Sequence, residues 1–145
     1  MITDIEPKNF NEKFQAIGCY IEHDGKILFL KRNEAGVGFG QWNVPGGTVN
    51  ESEDVIAAII REVHEEIGVA LDEDKIEYIT KTYCIYPEYR FIYHLTKYKV
   101  DRKPKIKMND EHTEFMWLTP QEALKLDLIP DEDYCIKKAF GIDES

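Results

Sequence analysis

The chain has 145 residues, 43% hydrophobic and 32% charged, which is ordinary for one globular domain with a single core. Its formal net charge of −10 excludes broad binding to a nucleic acid polymer, which needs a dominant basic surface to displace counterions. No run approaches the roughly 18 apolar residues of a membrane span, and MITDIEPKNF lacks a basic segment leading into an apolar one. Cys19, Cys84 and Cys135 are odd in number with no CxxC pair, so a cytoplasmic protein without a disulfide framework or a membrane partner is expected.

The opening residues read as a polar, loosely held segment. Phe14 to Glu22 and Lys26 to Arg32 read as strands joined through Asp24-Gly25 as a hairpin. Asn33 to Gly40 is a glycine-containing loop that leads through Gln41-Trp42-Asn43-Val44 to Pro45-Gly46-Gly47. There the glycines permit positive φ and let a backbone carbonyl approach an ion. A helix is expected from about residue 52, capped by Asn50 or Ser52, with Asn50 and Glu53 as a capping box and Gly68 as its C′ residue. Ile56, Ile59, Ile60, Val63 and Ile67 give it an apolar face.

Beyond an acidic loop at Asp72 to Asp74, Lys75 to Tyr86 is rich in β-formers. Pro87-Glu88 interrupts, and Tyr89 to Val100 is the antiparallel return. A polar stretch over 101–113 precedes a short strand, Glu114 to Leu118. Thr119-Pro120-Gln121-Glu122 then opens a helix with a capping box and proline at its first position, and a last helix is expected from about Asp131 to Phe140. This order is mixed α/β and packs naturally as a layered sandwich in one domain over 1–145, with no internal repeat.

On the central helix Glu62, Glu65 and Glu66 stand at i, i+3 and i+4, within roughly 100° of arc. Taken alone, an acidic helix face is a solvated surface. Stacked like charges are nevertheless unfavourable by a few tenths of a kcal/mol per pair, roughly, and hard oxygen donors suit a divalent cation. Counting from Gly47, the stretch runs glycine, five residues, Glu53, seven residues, then Arg61-Glu62-Val63-His64-Glu65-Glu66-Ile67-Gly68-Val69. It resembles the Nudix box, G-x5-E-x7-R-E-U-x-E-E-x-G-U with U bulky apolar, at every specified position. Its fixed residues match by accident at a given start on the order of once in 10⁸.

The resemblance implies a Nudix-like α/β/α sandwich with a mixed sheet, and hydrolysis with Mg²⁺ or Mn²⁺ of a pyrophosphate bond in a nucleoside diphosphate linked to another group. Carried over by position, Glu62, Glu65, Glu66 and the Gly46 carbonyl would ligate metal, Arg61 would orient the glutamates, and Glu53 would support them. The general base lies in the box or on a late loop, where Glu111 and His112 are the candidates. His23, His64 and His94 read as structural or exposed.

Lys31 and Arg32 are candidates for phosphate, and Phe39, Trp42 and Tyr86 for stacking on a base, against the plainer readings of strand-end charge and core aromatic. Lys97, Lys99, Arg102, Lys103, Lys105 and Lys107 read as a charged strand edge. The favoured substrate is a nucleoside triphosphate, as for pyrophosphatases of the MutT kind. The alternatives are dinucleoside polyphosphates and nucleotide sugars of the GDP-mannose or ADP-ribose type. A non-catalytic nucleotide-sensing module would be expected to have lost box glutamates, and this chain has lost none. A homodimer is the default oligomeric state.

Overall fold

The computed structural model describes residues 1–33 and 40–142; Phe39 lies outside the described residues. Strands β2 (Phe14–His23) and β3 (Lys26–Arg32) carry near-continuous apolar runs because both of their faces are covered. Ile17, Cys19, Ile21, Leu28 and Leu30 pack in one cluster with Ala58, Ile59, Val63 and Ile67 of helix α1 (Val55–Ile67). Tyr20, Ile27 and Phe29 belong to a second cluster, with Cys135 and Ile136 of helix α3 (Glu132–Phe140) and Ala123 of the short helix α2 (Pro120–Ala123). The sheet is thus the middle layer of an α/β/α sandwich. Ile59, Val63 and Ile67 are each 0% exposed, worth about 2 kcal/mol apiece in burial.

Along the sheet the order is β1 (Ile2–Thr3), β6 (Glu77–Ile85), β7 (Arg90–Lys99), β2, β3 and β4 (Trp42–Asn43). Strand β5 (Gly46–Thr48) adds to β2, and β8 (His112–Leu118) adds to β3. The β2–β7 pair is parallel from Phe14↔Phe91 to Glu22↔Lys99 and the other pairs are antiparallel, which makes the sheet mixed as expected. Asp24 (φ 49°) and Gly25 (φ 78°) form the two-residue turn between β2 and β3. Paired residues there are Glu22↔Ile27 and His23↔Lys26; further along, β2 pairs with β5 while β3 pairs with β4 and β8. That opening seats the Gly46-Gly47 strand beside α1.

Two local expectations are corrected. Helix α1 starts later than residue 52, with Asp54 as N-cap accepting from the Ala57 amide at 2.8 Å. Glu53 does accept from the Asn50 amide at 2.9 Å, but one turn before the helix, because its carboxylate is also drawn to Arg61. The opening segment is held rather than loose: Ile2 pairs with Cys84, Phe10 packs edge-on to Tyr83 at 5.1 Å, and Tyr83 donates to Glu6 at 3.2 Å. The Thr119–Glu122 capping box forms as expected. All three cysteines are free and buried, and no helix among the described residues is long and apolar enough to cross a membrane.

Candidate active site

A cleft of about 510 Å³ opens where the N-terminal ends of the parallel strands β2 and β7 meet β5, α1 and the start of α3. One end is acidic. Helix α1 sends Glu62 and Glu66, one turn apart, into it. Glu66 is 3% exposed and accepts from the Gly46 amide at 3.2 Å.

The two glycines are required for space and not for positive φ, which neither adopts. A Cβ on Gly46 would stand 2.1 Å from the Ile17 carbonyl oxygen, and one on Gly47 would stand 2.4 Å from the Glu62 carboxyl carbon. They sit in β5, paired with β2, because only a chain without side chains fits between that strand and the Glu62 carboxylate.

His112 begins β8 opposite Arg32, where the β3–β8 register shifts, and its Nε2 lies 3.8 Å from Glu66 Oε1. Donor atoms of Glu66, Glu111 and His112 all lie within 4.8 Å of one another. Burial, then the neighbouring Glu62 and Glu111 carboxylates, push Glu66 up to about 10, opposed by the Gly46 amide. Burial and then the Arg32 charge push His112 down to about 4, so its ring is neutral at pH 7. A buried carboxyl crowded by two others beside a neutral imidazole is a donor set that fits a divalent cation, which would displace the Glu66 proton.

Arg61 organises the other carboxylates. Its Nε and Nη2 donate to Glu53 at 3.0 and 2.6 Å, its Nη1 donates to Glu62 at 2.8 Å and Glu65 at 3.3 Å, and Nη2 also reaches the Thr48 carbonyl at 3.0 Å. The fork on Glu53, then the Asn50 amide, holds that carboxyl below its ordinary value. The three box glutamates differ in what they reach. Glu62 and Glu66 line the cleft, whereas the Glu65 side chain is 55% exposed and reaches the group through Arg61. Glu53 stands behind Arg61 and does not line the cleft.

The other end of the cleft is aromatic. Phe14 and Phe91 stack at 4.8 Å and 9°, because the parallel register makes them neighbours. Tyr86 and Tyr89 extend the wall at 6.1 and 5.8 Å from Phe91. Tyr86 donates its hydroxyl to Asp131, a residue held at φ 66° that gives α3 no side-chain cap. Glu132, 1% exposed, accepts from Tyr20 at 2.8 Å, and burial lifts it to about 8. The Asn43 Oδ1 is buried here with no hydrogen-bond partner among the described residues.

Of the residues expected at the substrate, Arg32 and Tyr86 line the cleft. Two do not. Lys31 points away along the strand and pairs with Glu114 at 3.3 Å, and Trp42 is 8% exposed in the core cluster of Tyr20 and Phe29. None of the basic strand-edge residues lines the cleft; Lys97 pairs with Glu22 at 3.3 Å and Lys103 lies over Trp117 at 5.7 Å. Phe14, Asn43, Tyr89, Phe91, Asp131 and Glu132 escaped the sequence reading. They come from four separate stretches of the chain, and Asp131 looks like a helix cap.

The sequence profile of the NUDIX domain matches residues 12–139. The chain belongs to the NUDIX family. Among its relatives, the nucleoside triphosphatase NudI of Escherichia coli is 32% identical over 117 residues, covering 74% of this chain and 83% of that protein. The Escherichia coli CTP pyrophosphohydrolase is 30% identical over 126 residues, covering 87% and 90%. The solution structure of the Escherichia coli ORF135 protein superposes with a TM-score of 0.74 at 27% identity, covering 88% of each chain. The MutT protein of Methanosarcina mazei Go1 shares the fold at a TM-score of 0.72 and 24% identity, covering 90% and 92%. The cleft described above is thus built on a NUDIX scaffold, with Glu62 and Glu66 of the box at its acidic end.

Proposed function

We propose that this NUDIX hydrolase, a single domain over residues 1–145, uses Mg²⁺ or Mn²⁺ to cleave a nucleoside triphosphate to its monophosphate and pyrophosphate. The observation that carries this reading is one continuous cleft that joins the Glu66, Glu111 and His112 cluster to the Phe14–Phe91 wall. The names of the two Escherichia coli relatives point to the same class of substrate.

Glu62 and Glu66, with Gly46 beside them, would hold the metal, which when bound polarises phosphoryl oxygens and acidifies attached water. Arg61 keeps Glu62 and Glu65 aimed, and Glu53 keeps Arg61 in place. Arg32 receives phosphate oxygens in the cleft. Glu111, exposed beside the buried Glu66, accepts the proton of the attacking water. The base stacks on Phe14, Phe91 and Tyr86, and the unpartnered Asn43 oxygen meets a donor on its edge.

A panel of nucleoside triphosphates, dinucleoside polyphosphates, ADP-ribose and nucleotide sugars, each with Mg²⁺ and with Mn²⁺, tests the reading when the products are identified. A triphosphate turned over to monophosphate and pyrophosphate is expected. Binding of nucleotides with no turnover of any of them would replace the hydrolase by a sensor.

A further inference from the structure

We propose that His112 is itself a metal ligand, making the acidic end of the cleft a mixed oxygen and nitrogen site that favours Mn²⁺ and Co²⁺ over Mg²⁺. The proposal rests on the hydrolase reading above and deepens it.

The chain has four histidines, and three of them are placed elsewhere. His94 has both ring nitrogens engaged, with Tyr78 at 2.7 Å and Gln15 at 2.6 Å. His64 is exposed, and His23 sits beside the exposed Asp24 at the hairpin turn. His112 is different. It is 8% exposed, it lines the cleft, and its Nδ1 is buried with no hydrogen-bond partner among the described residues.

The other ring nitrogen of His112 faces Glu66 Oε1 at 3.8 Å, too long for a hydrogen bond and within the span of two donors that share one cation. The strand fixes this placement. At the shift between Lys31 and Arg32, His112 turns inward, while Glu114, two residues on, turns outward to Lys31. Glu111, the residue before, supplies a second carboxylate to the same group of donor atoms.

The chemistry then selects the metal. Mg²⁺ favours oxygen ligands and gives up water reluctantly, whereas an imidazole nitrogen is a better ligand for first-row transition ions than for Mg²⁺. One imidazole among carboxylates raises the affinity for Mn²⁺ and Co²⁺ relative to Mg²⁺. An all-carboxylate site would lack that bias.

The test is pulsed EPR of Mn²⁺ bound to the full chain without nucleotide, with Mn²⁺ and Mg²⁺ dissociation constants measured alongside. Wild type and His64→Gln are expected to show ¹⁴N coupling to the ion, and His112→Gln to lose it. The preference for Mn²⁺ over Mg²⁺ should fall at least about tenfold in His112→Gln. Mn²⁺ bound without nitrogen coupling in wild type, or with coupling that survives in His112→Gln, overturns the proposal. The wild-type spectrum decides the matter even if His112→Gln folds poorly. Hydrolysis without nitrogen coupling sinks only the His112 ligand; a wild type that neither binds Mn²⁺ nor hydrolyses any nucleotide sinks the hydrolase reading as well.

Discussion

Two adjacent glycines should fail in opposite ways when given a methyl group. In Gly46→Ala the new Cβ would meet the Ile17 carbonyl oxygen at 2.1 Å and the Gly18 Cα at 3.1 Å, both backbone atoms of the strand that β5 pairs with. Backbone cannot move aside without loosening the β2–β5 pairing, so a loss of about 3 kcal/mol is expected. In Gly47→Ala the methyl would meet the Glu62 carboxyl group at 2.4 to 2.6 Å, the far end of a side chain that can rotate away. Stability should change by less than about 1 kcal/mol, but the displaced carboxylate leaves Arg61 and the cleft, and Mn²⁺ affinity should fall by about 10- to 100-fold. Urea denaturation gives the first quantity and a Mn²⁺ titration the second. A Gly47→Ala protein that binds Mn²⁺ like wild type, or a Gly46→Ala protein of wild-type stability, would refute the placement of Glu62 and β5.

Arg61→Lys should lower kcat by about 10- to 100-fold with little change in Tm, because one ammonium cannot make the two-pronged contact to Glu53 and still hold Glu62 and Glu65. Steady-state kinetics beside a thermal melt checks this. Glu132 keeps its proton in the native state up to about pH 8, whereas its ordinary value is 4.5, so the unfolded chain loses that proton first. Stability from this group is therefore full below about pH 4.5, declines as pH rises towards 8, and then levels off. Glu132→Gln should remove that decline, gaining on the order of 3 kcal/mol at pH 8 and nothing at pH 4. Denaturation curves at the two pH values decide; a variant less stable at pH 8 speaks against it. Asp54→Ala should cost about 1 kcal/mol in denaturant unfolding while kcat stays unchanged, since Asp54 caps α1 and does not line the cleft.

What could be read from the sequence was whatever is local in the chain. The strands from Phe14 and Lys26, the Asp24-Gly25 turn and the Thr119 capping box each depend on neighbours within a few residues, and each is found where expected. The helix start was misplaced because residues 50 to 54 offer several cap-forming side chains, and the choice of Asp54 follows from Glu53 being held by Arg61 eight residues on. The acidic end was legible because one helix carries much of it. The aromatic end was not. Phe14 meets Phe91 only through a parallel register across the sheet, and Asn43, Asp131 and Glu132 reach the same cleft from three further places. Trp42 misled for the converse reason: a lone aromatic beside a glycine turn reads equally as a stacking platform or as core, and its neighbours Tyr20 and Phe29 make it core.

The most direct measurement compares wild type with Glu66→Gln for Mn²⁺ binding and for release of pyrophosphate from nucleoside triphosphates. Wild type should bind Mn²⁺ and release pyrophosphate, and the variant should lose both by about 100-fold or more while melting no lower, since glutamine keeps the shape and the contact with the Gly46 amide. Undiminished turnover in Glu66→Gln, or a wild type with no affinity for Mn²⁺ even when nucleotide is present, would contradict the placement of the metal at this end of the cleft.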